Sequence, residues 1–431
     1  MADITVAKFG GSSLADAGQF RKVKSIVKND PLRKFVVVSA PQGVTDLLFA
    51  LRDGNGKSFE ENYAEICKRF HSIVSGLGVV FDPTPDLNEI RFLAGMPKRD
   101  EMVSRGEYLC AKIVAQFLGF EFLDAAHFVK FNEAGEFDIA TTRVAWCSLS
   151  VVPDKRYVVP GFYGSQSDGG IKLFSRNASD VSGAIVAACA GASVFEKWTN
   201  ESGIRRADPN IVPDAELIDE LTFREVRELT SRGTKILHSE VIFPLREAKI
   251  PIHIKNIDQP HLQGTRIVPN EQATPKPPGT VVGISSRKGY AVYEIEKAPM
   301  GIGYAASVLG VFAALKIDIA HLVDGVDEMG IVVHAQELKG KEGELCVRLR
   351  DVCKPDMLNI DHGIAILGVV GHWMDNTPGT AAKIFDALGR TGVSAEIIDQ
   401  SRSQTNIVIG VADKDCDTAV RAIYDRMIRQ K

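Results

Sequence analysis

The sequence predicts an α/β protein, with a mainly parallel sheet covered by helices on both faces and a separate module behind it. Three observations predict this. Short β-branched runs such as "ITVAKF" and "KFVVVSA" alternate with helix-period segments. Glycine-bearing turns follow the first two strands. A proline-rich stretch, "VPNEQATPKPPGT" at 268–280, then separates this part from a tail that weakly repeats itself.

The elements follow in order. "ITVAKF" is a strand, "GGSS" a turn, and "LADAGQFRKVKSIVKN" a helix with apolar residues at Leu14, Phe20, Val23 and Val27. "KFVVVSA" is a second buried strand, and "PQGVTDLLFAL" turns into another helix. "RYVVPGFYG", "ASVFEKW" and "IPIHIKN" read as further strands. "SRGEYLCAKIVAQFLG", "DVSGAIVAACAG" and "FREVRELTSRG" read as helices. In the tail, Gly303, Ala305, Ala306, Val308, Leu309, Phe312 and Ile317 fall on Gly379, Ala381, Ala382, Ile384, Phe385, Leu388 and Val393. Each copy is a glycine-opened helix followed by two strands, which suits a dimerisation module or an effector-binding one.

Composition bounds the function. The chain has 431 residues, 45% hydrophobic and 25% charged, with a net charge of -4. That is ordinary for a globular protein of two or three domains. Scattered Lys and Arg point to no nucleic-acid or anionic-membrane partner. Seven cysteines without a CxxC pair are expected as free thiols, and the nine histidines show no metal-like spacing. With no apparent signal peptide and no run of membrane-spanning length, a cytoplasmic protein is expected.

Several short stretches could carry chemistry. In "KFGGSS", Gly10, Gly11 and Ser12 let the backbone approach an anion, and Lys8 can reach over the turn as a point charge. The same residues would also make a plain strand-to-helix turn. Ser39 and Thr45 in "SAPQGVTDLL" are site hydroxyls beside a second such turn, or Thr45 with Asp46 simply caps a helix. Glu107 in "SRGEYL" is a first-turn carboxylate or one that awaits an ammonium group. Phe162 in "PGFYG" is a packing aromatic or a site wall. In "FSRNASD", Arg176 can fork onto a carboxylate. Ser179 and Asp180 cap the next helix, or Asp180 holds a lysine or a magnesium ion. "WTNESGIRRADPN" fits a nucleotide rim or a surface loop.

Taken in order, these stretches, with "HSEVIFPLREAKIPIHIKN" and the two repeats, resemble the aspartokinases of the amino-acid kinase family over essentially the whole chain. The resemblance implies an amino-acid kinase domain at 1–275 and two ferredoxin-like ACT domains at 281–431. One of these, about 289–360, would be inserted in the other, 281–288 plus 361–431. It implies ATP-dependent phosphorylation of the L-aspartate β-carboxylate, with Mg2+, in amino-acid biosynthesis. It implies a homodimer through the ACT domains and a small effector at their interface. Lys8 matches the lysine that stabilises the phosphoryl group, and Asp180 the aspartate that orients it. Gly10, Gly11 and Ser12 match the phosphate cradle. Ser39, Thr45, Glu107, Phe162, Arg176 and Ser179 match the aspartate pocket, with Glu107 on the α-ammonium and Arg176 on the α-carboxylate. Thr199, Asn200, Arg205, Asp208 and Asn210 match the nucleotide loop.

The chain departs from the family pattern in places. The usual S-R-G-G-S-D reads Ser175-Arg176-Asn177-Ala178-Ser179-Asp180. The usual T-D becomes Thr199-Asn200, and D-P-R becomes Asp208-Pro209-Asn210. The aspartate side is kept while the nucleotide side is altered. Besides aspartate kinase, this leaves open a paralogue using another amino acid or donor, and a silent aspartate-binding subunit. The usual effector motifs become Ala320-His321-Leu322-Val323-Asp324-Gly325 and Gln400-Ser401-Arg402-Ser403-Gln404, so feedback by lysine is not expected.

Overall fold

The computed structural model describes residues 3–152, 154–175, 179–231, 237, 239–372, 374, 377–400 and 405–430, with backbone alone at Ser239 and Glu240. It divides into two compact units. One holds the residues up to Ile204, Leu217–Val226 and the described residues up to Thr274. The other holds Arg205–Glu216, residues 227–231 and the described residues from Pro275 onward.

The first part of the chain runs β1 (Thr5–Phe9), α1 (Ala17–Lys28), β2 (Arg33–Val38), α2 (Val44–Asp53), α3 (Phe59–Leu77), α4 (Thr84–Ala94), α5 (Arg99–Leu118), β3 (Glu121–Phe122) and α6 (Ile139–Cys147). It continues through β4 (Tyr157–Pro160), β5 (Tyr163–Ser165), β6 (Ile171–Leu173), α7 (Ser179–Ala190), β7 (Val194–Thr199), β8 (Glu220–Thr222), α8 (Phe223–Ser231), α9 (Ser239–Glu247), β9 (Ile252–Asn256) and β10 (Thr265–Val268). Its eight-stranded sheet has the order β3-β4-β2-β1-β7-β9-β10-β8 and is parallel except between β9 and β10. This is the mainly parallel sheet the alternation predicts.

Strand residues alternate between the two faces. Ala7 and Phe9 enter a core with apolar residues of α1 to α5. Lys8 and Lys197 leave the other face, where α7 packs: a Cβ at Gly183 of α7 would lie 2.7 Å from the Phe195 ring and 3.3 Å from Lys8 Cβ. The bare glycine therefore sets how close α7 lies to the strands.

Several boundaries differ from the sequence reading. The helix read from Ser104 already begins at Arg99, so Glu107 lies in its interior and is not a first-turn carboxylate. The first helix does not begin at Leu14; Gly11–Leu14 form a 3-10 turn and α1 starts at Ala17. Asp16 caps it by accepting a hydrogen bond from the Gln19 N–H at 3.0 Å. "RYVVPGFYG" is not one strand: β4 ends at Pro160, and the left-handed Phe162, at φ 78°, turns the chain beyond it. Beyond it, β5 pairs with β6 in a separate hairpin.

The second unit continues through β11 (Val281–Glu296), α10 (Tyr304–Ala314), β12 (His321–Asp324), β13 (Glu328–His334), α11 (Ala335–Leu338) and α12 (Glu342–Arg348). Then come β14 (Met357–Gly371), α13 (Thr380–Arg390), β15 (Ile397–Gln400), β16 (Asn406–Ala412) and α14 (Cys416–Met427). Its six-stranded sheet is antiparallel, in the order β12-β13-β11-β14-β16-β15. The repeat is visible in it: α10 and α13 each open on a left-handed glycine, Gly303 at φ 84° and Gly379 at φ 86°. Residues 290–296 of β11 pair with β13, and residues 364–370 of β14 with β16. Each repeat has its own core. Tyr293 and Ile295 pack with Val308 and Phe312, whereas Val281 and Ile284 pack with Ile384, Leu388 and Ile423.

Candidate active site

The site lies at the carboxyl ends of the central parallel strands, where the geometry of such sheets leaves a crevice. Phe9 at the end of β1 is level with Val38 of β2 and Trp198 of β7, and Val38 with Pro160 of β4. The chain leaving β1 and the chain leaving β2 are tied together, since Ser39 N donates to Phe9 O at 3.2 Å and Gln42 N to Gly11 O at 3.1 Å. Gly11 is required there, because a Cβ would stand 2.9 Å from the Ala40 carbonyl oxygen.

A cleft of about 550 Å³ opens at this point. Lys8, Gly11, Ser12, Ser39, Thr45, Glu107, Phe162, Ser179 and Asp180 all line it. Nine residues singled out along the first 180 positions therefore converge on one cavity. Gly10 sits just beneath, where a Cβ would lie 3.7 Å from Lys8 Nζ.

Lys8 Nζ lies 2.5 Å from Asp180 Oδ1, and both side chains are nearly inaccessible to solvent. Burial alone would raise the Asp180 pKa, but the Lys8 and Lys197 ammonium groups outweigh it and hold the carboxyl far below the usual carboxylate range. Burial lowers the Lys8 pKa and Asp180 opposes the shift. Asp180 is thus a fixed anion in the first turn of α7 rather than a helix cap.

Glu107 stands in α5 at the other side of the cleft. Burial raises its pKa to about 7, against hydrogen bonds from the Ala40 backbone and Thr45. Thr45 Oγ1 donates to Oε1 at 3.4 Å, while Oε2 has no hydrogen-bond partner among the described residues. A buried carboxylate with an open oxygen is suited to an ammonium group. Ser39 Oγ and Ser179 Oγ are 2.7 Å apart and bridge the end of β2 to the start of α7. Gly161 permits that approach, since its Cβ would meet Ser179 Cβ at 2.9 Å. Phe162 keeps its left-handed backbone with its N–H donating to Ser182 Oγ at 2.8 Å.

The other expected residues are placed differently. Arg176, with Asn177 and Ala178, lies outside the described residues. Thr199 ends β7, and its carbonyl accepts from Ile257 N at 2.9 Å; the Asn200 carbonyl accepts from Asn256 Nδ2 at 3.0 Å. Arg205, Asp208 and Asn210 belong to the second unit. Arg205 donates to the Ala215 carbonyl at 2.6 Å, and Asp208 accepts from Asn210 N at 2.8 Å.

The sequence reading missed Lys197. Its Nζ lies 2.6 Å from Asp180 Oδ2. A charged residue near the end of the buried strand "VFEKWT" was the available signal, but its register against Lys8 is set only by the fold. No group of carboxylate, His and Cys side chains suited to a metal occurs among the described residues. Both Asp180 oxygens already face ammonium groups.

The sequence model of the amino acid kinase family matches residues 3–256, and that of an ACT domain matches residues 367–427. The chain is 32% identical to Aspartokinase 3 of Bacillus subtilis, over 97% of each chain. It is 25% identical to lysine-sensitive aspartokinase 3 of Escherichia coli, over 99% of this chain and 100% of that one. The crystal structure of Clostridium acetobutylicum aspartate kinase superposes with a TM-score of 0.86 at 36% identity, covering 99% of this chain and 100% of that one. Escherichia coli aspartokinase III in complex with aspartate and ADP shares the fold, with a TM-score of 0.83 at 24% identity, covering 99% and 100%. The chain belongs to the amino acid kinase family, and within it to the aspartokinases with C-terminal ACT domains.

Proposed function

We propose that this chain is an aspartate kinase, transferring the γ-phosphoryl group of ATP to the β-carboxylate of L-aspartate. The observation that carries the reading is the shared cleft: a Lys8–Asp180 pair for the phosphoryl group faces Glu107, an open buried carboxylate for the α-ammonium. An acceptor carboxylate is already an anion, so no general base is needed. Its oxygen bonds to the γ-phosphorus, the bond from that phosphorus to the bridging oxygen breaks, and ADP leaves with the electron pair. Catalysis then consists of positioning and neutralising charge on the transferring group.

In this reading Lys8 meets the phosphoryl oxygens and Asp180 aims it. Gly10, Gly11 and Ser12 present the turn to phosphate. Ser39, Thr45, Phe162, Ser179 and Arg176 shape the amino-acid pocket, and Thr199, Asn200, Arg205, Asp208 and Asn210 serve the nucleotide. Mg2+ would arrive on the nucleotide phosphates, whose oxygens suit a hard cation, because the described residues offer it no cluster of their own. Residues 1–275 form the catalytic part. Residues 281–431 form the regulatory part, where a homodimer and a small effector would meet at the ACT domains. We place the protein in the cytoplasm; none of the described helices is long and apolar enough to cross a membrane.

The test is to incubate the full chain with L-aspartate, ATP and Mg2+, and to trap the acyl phosphate with hydroxylamine while following ADP. Aspartyl hydroxamate and ADP should appear together. Neither appearing at high enzyme concentration would sink the reading.

A further inference from the structure

Asp180 is held by two lysines, and only one of them has a place in the reaction as described. Lys8 and Lys197 are register partners in the adjacent parallel strands β1 and β7. Their side chains therefore leave the same face of the sheet at one strand spacing, roughly 5 Å. Both are largely buried, with side chains 6% and 13% exposed. Two buried ammonium groups so close repel each other, and Asp180 offsets this by presenting one oxygen to each, at 2.5 Å and 2.6 Å. A merely structural ion pair needs one cation; here two ammonium groups converge on one carboxylate beside the cleft, which favours an incoming anion there.

The surroundings make Lys197 the fixed member. The next residue, Trp198, is fully buried; it stacks on Phe9 with centroids 6.0 Å apart and donates its indole N–H to Glu196 at 2.9 Å. Lys8, by contrast, lines the cleft, whereas Lys197 does not.

We propose that Lys197 is a positioning residue for phosphoryl transfer. It keeps Asp180 ionised and aimed from the side away from the cleft. Lys8 can then turn toward an incoming phosphoryl group without stranding a buried carboxylate. With Lys8 alone, each approach of Lys8 to phosphate would leave Asp180 unpaired in a dry site, a costly state. The proposal rests on the phosphoryl-transfer reading above.

The test compares Lys197→Met, Lys197→Arg, Asp180→Asn and Lys197→Met/Asp180→Asn in the full chain. Lys197→Met should lower kcat by about 10²-fold, the scale of losing one charge-stabilising group, with KM for aspartate changed less than about twofold. Lys197→Arg should recover part of that loss. The double variant should be little worse than Asp180→Asn, because Lys197 acts through Asp180. Calorimetry gives a readout without turnover: Lys197→Met should weaken a non-hydrolysable ATP analogue with Mg2+ by about tenfold and leave ADP unchanged. A variant with normal kcat and only a lower melting temperature would overturn the proposal, and so would additive losses in the double variant. If the wild type makes no aspartyl phosphate, the assigned reaction fails. Calorimetry still judges Lys197, since equal or no loss for the analogue and ADP overturns its role.

Discussion

At the scale of single residues, the role proposed for Glu107 would tie binding to stability through one proton. Burial brings its pKa to about 7, and an ammonium ligand needs the ionised form. KM for aspartate should therefore fall as pH rises from about 6 to about 8. Glu107→Gln should flatten that dependence and raise KM by about 10²-fold, as a buried charge-assisted contact is lost. Stability moves the opposite way. The folded protein holds this proton up to about pH 7, while the unfolded chain releases it near 4.5. The folded state binds more protons in that window, so this group makes stability fall as pH rises through it. Above the folded pKa its cost is on the order of 3 kcal/mol. Glu107→Gln should thus raise the denaturation midpoint at about pH 8, and the gain should vanish below about pH 4. A midpoint unchanged at both would show that burial does not perturb this carboxyl.

At the scale of elements, the site depends on how closely α7 lies on β1 and β7. Gly183→Ala would push a methyl into the Phe195 ring, which is fully buried, and toward Lys8 Cβ. Overpacking of this kind costs about 1–3 kcal/mol and shifts the backbone. Because Asp180 opens the same helix, kcat should fall along with the melting temperature; full activity at a lowered melting temperature would mean the helix moves without its first turn. Much of this architecture was legible locally. β1, β2, β7 and β9 follow from β-branched runs, and α2, α5 and α7 from helical spacing after turns. The helices α3 and α4 were not assigned, although Ser58 and Glu61 form a reciprocal capping box and Gly78 ends α3 in the left-handed region. Among the site residues, Lys8 and Asp180 announce themselves as charges beside turns, whereas Glu107 lies inside α5. Lys197 does not announce itself, because its meaning comes from a long-range register between strands that local spacing cannot specify.

At the scale of the whole chain, the two units are not consecutive stretches. Ala207, Ile211, Val212 and Ala215 are buried in the same core as Val281 and Ile423. Ile284 N donates to the Arg206 carbonyl at 2.6 Å, and Glu216 N to the Tyr424 hydroxyl at 2.9 Å. A chain stopped at residue 275 would leave these apolar groups uncovered. It should aggregate or bind a hydrophobic dye, and supplying residues 276–431 as a separate chain should restore its solubility. A truncated chain that stays monodisperse and binds no dye would show that 205–216 finds other cover.

The long strands of the second unit carry a further consequence. β11 runs unbroken from one repeat into the other, and β14 returns beside it along the same length. Each repeat nevertheless uses its own half of both strands: 281–287 pair with 366–371 in one, and 291–296 with 357–362 in the other. The seam between the halves falls at Gly289 and Gly363, both left-handed. Residues 290–362 are therefore a continuous insertion, and one module can be exchanged whole across that seam while its sibling keeps all four of its strands.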